Sequence, residues 1–323
     1  MIRHAGESPV RPPRVVVLGA SGFVGAEVVR HLTALDIPTR GFASADLDMC
    51  QAGAVEALRQ IVRPEDVLII ISALTPDKGK DVGTFMKNMA MGAHLSAFLQ
   101  RAACAHVVYV SSDAVYAETA NPVREDSVCD PGSLHGLMHD TRERLLSHAL
   151  AASATPLLLL RPGPLYGPGD PHQSYGPNRF LRTALAEGAI TLFGHGEERR
   201  DHVYLPDMGR LVAQGVLWRS AGILNVATGT SVSFAELARS IVTLCENTVR
   251  IESRVRQGPI THRFVRIEAC LSAFPTFRYT PLPTGLAETL KKIQAVHSPA
   301  MGAVADAVMA GAQRGGHREG MSR

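Results

Sequence analysis

Short runs of apolar residues recur through the first half of the chain, and each stretch between two runs is long enough to hold a helix. The first run, residues 14–18, ends at a glycine turn, after which Val24, Val28, Val29 and Leu32 return at spacings of three or four. Continuous apolar runs are typical of buried parallel strands, and helical spacing indicates an amphipathic helix. Further runs occupy residues 66–71, 106–110 and 156–160. The alternation predicts right-handed βαβ crossovers and a doubly wound parallel α/β sheet.

The character of the chain changes after Arg161, where a loop rich in Pro and Gly is followed by shorter mixed segments. This change predicts a second, smaller domain of mixed α/β structure. We assign residues 13–165 and about 200–222 to the first domain, and about 166–199 and 223–297 to a substrate-binding domain. Residues 298–323, rich in Ala, Gly and Arg, predict a flexible tail.

Composition excludes several classes of protein. With 46% hydrophobic residues, 20% charged residues and a net charge of +3, the chain is neither a disordered tail nor a polybasic nucleic-acid binder. Five scattered cysteines without a Cys-x-x-Cys pair argue against a disulfide scaffold or a thiolate zinc site. No apolar leader or membrane-crossing run occurs in the sequence. We therefore predict a soluble cytoplasmic protein that binds neither nucleic acid nor a membrane.

The glycine turn after the first strand has the spacing of a dinucleotide-binding loop. Gly19 permits the tight turn, Gly22 lets backbone N–H groups approach a pyrophosphate, and Gly25 lets the helix pack closely on the strand. A strand, this turn and a helix follow one another at the start of the domain. The first domain is therefore predicted to be a Rossmann-type domain that binds NAD or NADP.

The choice between the two cofactors stays open. An acidic residue at the end of the second strand would bond the adenosine ribose hydroxyls. That strand is predicted at residues 37–43, and it ends in Phe42, Ala43 and Ser44 with Arg40 nearby. Without a carboxylate there, the site can accept the 2′-phosphate of NADP as well as NAD.

Seven segments match, in order, the motifs of one known family. They are Gly19–Gly25, Ala45-Asp46-Leu47, Asn88, Ser111–Tyr116, Leu160–Gly169, Leu192–Tyr204 and Leu224-Asn225-Val226. On these motifs the chain, from about residue 14 to about residue 293, resembles the extended short-chain dehydrogenase/reductase family. That family comprises NAD-dependent epimerases, dehydratases and reductases of nucleotide-activated sugars.

The resemblance implies a set of cofactor contacts and a homodimer formed through helices of the first domain. The implied cofactor-binding residues are Gly19, Ser21, Gly22, Phe23, Val24, Gly25, Asp46, Leu47, Ala73, Asn88 and His139.

The chain departs from the family where the family has its catalytic tyrosine and lysine, four positions apart on one helix. Alignment through Gly136 and Glu143 puts His135 in the tyrosine position and His139 in the lysine position. The sequence has no tyrosine between Tyr116 and Tyr166. It also has no lysine between Lys87 and Lys291, so a small shift of the alignment does not restore the pair.

Histidine chemistry explains why both residues can change together. A phenol with a pKa of about 10 needs a nearby cation to act as a base at neutral pH, whereas an imidazole with a pKa near 6.5 does not. We therefore predict that His135 exchanges a proton with a sugar hydroxyl or keto oxygen, while Ser112 hydrogen-bonds the same oxygen. His139, one turn away, would hold the nicotinamide ribose. The alternative is a catalytically silent NAD(P)-binding protein, a redox sensor or partner subunit.

A metal site on the two histidines is not predicted. Zinc enzymes usually add a third ligand and a general base, whereas the residue after His135 is glycine. Asp140 and His148 are candidate extra ligands, but a helix places them on other faces.

Substrate contacts are implied in the second half of the chain. Asn178 and Arg179 follow the Pro/Gly loop, and Arg200 matches the arginine that holds the nucleotide diphosphate in the family. Arg256 is a candidate second arginine, for which Arg263 competes. Guanidinium groups suit this task because their planar donors grip phosphate oxygens in pairs. The alternative for Arg200 is a surface salt bridge with Asp201 or Glu197.

Asp113 indicates which reactions of the family are possible. The family's dehydratases carry Asp-Glu after the serine position, but here Asp113, a candidate substrate contact, is followed by Ala114. Elimination of water is thereby disfavoured. The predicted function is epimerisation or keto reduction of a nucleotide-activated sugar.

Overall fold

The computed structural model describes residues 2–172 and 174–297. In chain order the strands are β1 (Arg3–His4), β2 (Val15–Leu18), β3 (Thr39–Phe42), β4 (Val67–Ile70), β5 (His106–Val110), β6 (Leu157–Pro162), β7 (Leu165–Tyr166), β8 (Ala189–Phe193), β9 (Arg199–Asp201), β10 (Val203–Tyr204), β11 (Ser220–Val226), β12 (Ser231–Ser233) and β13 (Arg250–Arg254). The helices are α1 (Phe23–Ala34), α2 (Ala54–Ile61), α3 (Val82–Leu99), α4 (Leu134–Ala149), α5 (Pro177–Glu187), α6 (Leu205–Leu217), α7 (Phe234–Leu244), α8 (Glu268–Ala273) and α9 (Leu282–His297).

Seven strands form the central sheet in the order β1-β11-β6-β5-β4-β2-β3. The six strands from β11 to β3 are parallel, and β1 joins the edge antiparallel to β11. The predicted α/β fold with a doubly wound parallel sheet is thereby confirmed. Strand β1 is an addition that the sequence pattern does not predict, because two residues are too few to show a period. His4 holds it in place by hydrogen bonds to the Ser220 hydroxyl and the Ala273 carbonyl, both at 2.9 Å.

Both faces of the sheet are buried, which explains why its strands are continuous apolar runs. In β2, Val15 and Val17 belong to the core under α1 and α6, whereas Val16 and Leu18 belong to the core under α2 and α3. Successive side chains of a strand point to opposite faces, so every position of such a strand must be apolar.

A third core lies in the later part of the chain, between β8 and helices α5, α7 and α9. Phe180, Ile190, Leu237 and Leu286 are at its centre, and each is at most 1% exposed. Two short strand pairs, β8 with β13 and β9 with β12, border this region. The predicted tail at residues 298–323 lies outside the described residues.

The strand order positions the site. The chain places β3 on one side of β2 and then crosses to the other side to form β4. Ligands of open parallel sheets bind outside the carboxyl ends of the strands where the direction of winding reverses. At this edge, Gly19 directly follows β2 and Ser111 directly follows β5. Ser72 lies two residues after β4. Within the described residues, no helix combines the length and the hydropathy that a membrane span requires.

Candidate functional site

The glycine turn after β2 is a close-packed cradle in which side chains do not fit. Gly19 has a φ of 89°, and a Cβ there would lie 2.7 Å from the Ser72 amide nitrogen. A Cβ on Gly25 would lie 2.0 Å from the Gly19 carbonyl oxygen. Gly22 is the N-cap of α1 and provides no side-chain cap, so the first amides of the helix are left for an anion. The turn therefore fits a dinucleotide pyrophosphate.

The edge strand β3 has no carboxylate at its end, as the sequence predicts. The Arg40 guanidinium lies over the Phe42 ring at 4.8 Å from its centroid, and the Arg40 residue is exposed. Asp46 lies in the following turn, where its Oδ2 accepts a hydrogen bond from the Ala43 amide at 2.9 Å. Leu47 packs against the core under α2. Ser21 is exposed at the glycine turn, next to partly buried residues of the first turn of α1, Phe23 and Val24.

Asn88 holds the loop between β4 and α3. Its side chain is 2% exposed, and its amide both donates to the Leu74 carbonyl and accepts from the Leu74 amide, each at 2.9 Å. This pair of bonds fixes the backbone next to Ala73. A cavity of about 340 Å³ lies between this loop and the first turns of α4, and His135 and Met138 contribute to its wall. Asn88 therefore lines the cavity, but its side-chain amide is bound to the Leu74 backbone.

The two histidines lie on α4 with their rings in contact. Their centroids are 4.7 Å apart, and the ring planes are at 86°. Ser133 caps the helix by accepting from the Gly136 amide at 3.1 Å. A Cβ on Gly136 would lie 2.1 Å from the Ala114 carbonyl oxygen, so glycine is what allows α4 to approach the turn after Ser112. The predicted common face of His135 and His139 is therefore present in the structure.

Burial keeps both imidazoles neutral at neutral pH. Burial, with a smaller contribution from His172, lowers the pKa of His135. Burial, together with His135 and Arg142, lowers the pKa of His139 well below its usual value. A neutral imidazole has one nitrogen that accepts a proton and one that donates a hydrogen bond. The His135 ring can therefore accept a proton at neutral pH, and His139 is held without charge.

Two residues of this site were missed by sequence reasoning. Tyr109 lies on β5, and its hydroxyl is 2.7 Å from Nδ1 of His139. Arg142, which is 0% exposed, donates from Nη1 to the Ser72 carbonyl at 3.0 Å. Its guanidinium carbon is 5.2 Å from the Tyr109 ring centroid. Tyr109 lies within an apolar strand, and nothing in the sequence there indicates a polar role. Arg142 is three residues after His139, and this helical spacing could have indicated that the two side chains are close.

Ser112 and Asp113 begin the short turn that follows β5. The Ser112 hydroxyl oxygen accepts from the Ala114 amide at 3.1 Å, and its proton can be donated either to the Asp113 carboxyl or to a bound oxygen. Burial raises the pKa of Asp113 to about 6, although Arg263 and Arg200 act in the opposite direction. Asp113 thus lies close enough to both arginines to interact with their charges.

Asn178 and Arg179, the other implied substrate contacts, differ in burial and in their hydrogen bonds to the rest of the protein. Asn178 is 4% exposed, and its side chain bonds both backbone groups of Gly167 and also Asp170. Arg179, the next residue of α5, is exposed. Asn178 therefore fixes the Pro/Gly loop, and a contact of either residue with a substrate stays a prediction.

The two candidate diphosphate arginines have different partners. Arg200 donates to the carbonyl and hydroxyl oxygens of Thr261, and its charged neighbour is Glu198 at 4.0 Å. Arg256 forms ion pairs with Glu197 at 2.8 Å and Glu198 at 3.0 Å. Arg200 interacts electrostatically with Asp113, whereas Arg256, two residues after β13, pairs with the acidic residues of the loop before β9. Among the described residues, no group of three or more His, Cys, Asp or Glu side chains is arranged to hold a metal ion.

The chain is similar in sequence and in fold to proteins of known activity. A dTDP-4-dehydro-6-deoxy-D-allose reductase of Streptomyces bikiniensis is 25% identical over 319 residues, covering 86% of this chain and 95% of the relative. A GDP-L-fucose synthetase from Naegleria fowleri bound to NADP superposes with a TM-score of 0.80 at 16% identity, covering 92% and 98%. The UDP-glucose 4-epimerase of Thermus thermophilus in complex with NAD gives 0.76 at 21% identity, covering 87% and 99%. At these identities the two superpositions show the fold.

The sequence model of one family, the NAD dependent epimerase/dehydratase family, matches residues 15–227. This range contains the glycine cradle, the serine turn, α4 with its two histidines and the Pro/Gly loop. The prediction of NAD or NADP as cofactor is confirmed by the match. This chain is a member of the NAD dependent epimerase/dehydratase family.

Proposed function

We propose that this protein is an NAD(P)-dependent epimerase or reductase of a nucleotide-activated sugar, with His135 as the acid/base at a sugar carbinol or keto carbon. The main observation in support is that the neutral His135 ring lines the cavity beside the β4–α3 loop. The contact of Gly136 with Ala114 holds its helix against the serine turn. Reductases and epimerases that act on nucleotide sugars are among the similar proteins, which supports the substrate class.

The cofactor, when bound, supplies hydride transfer to or from the sugar carbon. His135 accepts the proton of the sugar hydroxyl when that carbon is oxidised, and the imidazolium returns the proton to the oxygen when the carbon is reduced. Ser112 donates a hydrogen bond to the same oxygen and so holds it near His135. An epimerase uses both directions in one cycle, whereas a reductase begins from the protonated imidazole.

The lowered pKa of His135 affects an oxidation and a reduction differently as first steps. At neutral pH the ring is present mainly as the free base, because burial disfavours its charged form. A cycle that begins by oxidising a hydroxyl therefore finds His135 in the required state. A reductase must first place a proton on the ring, which costs free energy in proportion to the lowering of the pKa. The direction of this pKa shift is therefore more compatible with oxidation of a hydroxyl as the first step.

The substrate side of the proposal rests on the arginines. We propose that the Arg200 guanidinium exchanges its hydrogen bonds to Thr261 for hydrogen bonds to the substrate diphosphate. Arg256 or Arg263 provides a second cation. Asp113, Asn178 and Arg179 remain proposed substrate contacts. The proposal also includes a homodimer, a cytoplasmic location and the division into a cofactor domain and a substrate domain, all as predicted from the sequence.

The experiment has two stages. A mass spectrum of the purified protein is used first to search for a retained dinucleotide and a nucleotide sugar. Turnover of the sugar so identified is then compared for wild type, His135→Ala and His148→Ala, the last removing an exposed ring from the end of the same helix. We expect a loss of about 100-fold or more for His135→Ala and wild-type turnover for His148→Ala. Wild-type turnover in His135→Ala would refute the role of His135.

A second candidate is a catalytically silent NAD(P)-binding sensor or partner subunit. The observation that favours it is the lack of a tyrosine between Tyr116 and Tyr166 and of a lysine between Lys87 and Lys291. A protein of this kind would retain the dinucleotide but no sugar. The first stage of the experiment therefore separates the two candidates before any turnover is measured.

A further inference from the structure

The hydrogen bond between Tyr109 and His139 has a defined direction. The hydroxyl oxygen lies 2.7 Å from Nδ1, and this is the phenol's hydrogen bond within the described residues. If Nδ1 donated, the phenol proton would be buried without an acceptor, because Tyr109 is 1% exposed. A buried donor without a partner costs about 1–3 kcal/mol. The phenol therefore donates, and Nδ1 of His139 accepts with its lone pair.

The charges around His139 exclude the imidazolium form. Arg142 lies beside the Tyr109 ring, and its Nε and Nη2 have no hydrogen-bond partner within the described residues. The adjacent carboxylate of Glu143 is already bound by Arg161 and Ser111. A second positive charge on His139 would thus meet a buried cation and no available anion. The ring must stay neutral, and its single proton must be on Nε2.

We propose that Tyr109 and Arg142 fix His139 as the neutral Nε2–H tautomer, which makes Nε2 a permanent hydrogen-bond donor where the family has lysine. Nε2 has no hydrogen-bond partner within the described residues and is not among the fully buried unpaired atoms, so it retains a small accessible surface although the residue is only 4% exposed. The inference rests on the proposed function for its acceptor, a hydroxyl of the cofactor ribose. Tyr109 and Arg142 act as positioning residues: Tyr109 occupies Nδ1, and Arg142 adds to burial and to the neighbouring His135 in disfavouring the charged ring.

The tautomer is measured directly in the protein without cofactor. The ¹⁵N spectrum of histidine-labelled protein distinguishes an unprotonated, pyridine-type nitrogen from a protonated, pyrrole-type nitrogen. We expect His139 to show a pyridine-type Nδ1 and a pyrrole-type Nε2 at neutral pH. In Tyr109→Phe the ring should populate both tautomers, whereas Tyr279→Phe, which removes a buried phenol near Cys270, should leave His139 unchanged. A protonated Nδ1 in wild type would overturn the proposal.

The part played by Arg142 is tested on the same resonances. In Arg142→Met, the imidazolium of His139 should become populated at a higher pH than in wild type, because the opposing charge is gone. Arg144→Met removes an exposed cation two residues away and serves as the control. An unchanged protonation of His139 in Arg142→Met would overturn the role of Arg142. Should that variant fail to fold, Arg142→Lys retains the charge with a different geometry and should retain the wild-type tautomer.

Cofactor affinity tests whether the Nε2 donor is used. His139→Leu removes the donor, whereas His139→Gln retains an N–H group at a similar distance from the backbone. NAD(H) binding followed by fluorescence should weaken about threefold to tenfold in His139→Leu and be largely restored in His139→Gln. Equal affinity in His139→Leu and wild type would contradict use of the donor. The spectrum and the affinity are independent of turnover, so a fully active His135→Ala would refute the proposed function while leaving this inference standing.

Discussion

Glu143 and Arg161 form a two-point ion pair beneath the strand that leads to Ser112. The Arg161 Nε and Nη2 atoms lie 3.0 and 2.6 Å from the two carboxylate oxygens, and both side chains are at most 5% exposed. The Ser111 hydroxyl donates to the same carboxylate at 2.5 Å. The pair therefore ties α4, which carries His135, to β5 and β6. Its geometry fixes the distance between the proposed base and the serine turn.

Neutralising this carboxylate should destabilise the fold. Glu143→Gln leaves the Arg161 guanidinium buried without a counter-charge, so we expect the free energy of unfolding to fall by about 2–4 kcal/mol. The control is Glu268→Gln, which removes an exposed partner of Arg266 and should change stability by about 0.5 kcal/mol or less. Urea denaturation of both variants gives the comparison. Equal stability of the two variants would contradict the structural importance of the buried pair.

The sequence was sufficient for the sheet and the cofactor because both depend on local patterns. Each buried strand is a continuous apolar run, and Gly19, Gly22 and Gly25 lie together in the chain, so spacing alone identifies their turn. The serine turn and the histidine pair were likewise found as short segments. Their proximity in space was inferred from the resemblance, and the contact of Gly136 with Ala114 is its physical basis.

The sequence does not reveal the network behind the histidines, because Tyr109 comes from a distant strand and the burial of Arg142 is not visible in the pattern. Tyr109 is 30 positions before His139, and nothing in an apolar run marks a phenol as a hydrogen-bond donor to a residue of α4. Arg142 looks in the sequence like a solvated helix charge, yet it is fully buried. The partners of Arg200 were also not predicted, since Thr261 lies in a segment where the chain diverges from the family motifs.

A methyl group at the glycine cradle should weaken cofactor binding. Gly25→Ala places a Cβ 2.0 Å from the Gly19 carbonyl oxygen, so α1 must move away from the turn that binds the pyrophosphate. We expect NAD(H) affinity to fall at least about tenfold, measured by fluorescence titration. Gly53→Ala at the start of α2 is the matched control, because nothing lies within 4 Å of its Cβ. Wild-type affinity in Gly25→Ala would contradict the cradle as the cofactor site.

The buried carboxyl of Asp113 should make stability depend on pH. Its pKa, raised from an ordinary value of 3.8 to about 6, means that the folded protein binds this proton more tightly than the unfolded chain does. Stability contributed by the group is present at low pH and is lost as the pH rises between these two values. Asp113→Asn removes this dependence. Relative to wild type, the variant should therefore gain about 2 kcal/mol in unfolding free energy between pH 4 and pH 7.

Urea denaturation across this pH range provides the measurement for Asp113. Glu252→Gln, at an exposed position of β13, provides the control for a carboxyl in solvent. If Asp113→Asn and wild type keep a constant difference in stability across the range, the carboxyl does not titrate with a raised pKa.

The last prediction concerns the titration of His135 itself. Burial lowers its pKa, and His172 adds to this effect, so the ring should take up a proton only below the ordinary value of about 6.5. Proton acceptance from a hydroxyl needs the free base, and its rate should therefore decline only as the pH falls through this lowered value. His172→Gln removes the second cause and should raise the midpoint of His135. NMR titration of the ring protons of wild type and variant gives both midpoints. A midpoint at or above about 6.5 in the wild type would remove the reason for assigning the free base to His135 at neutral pH.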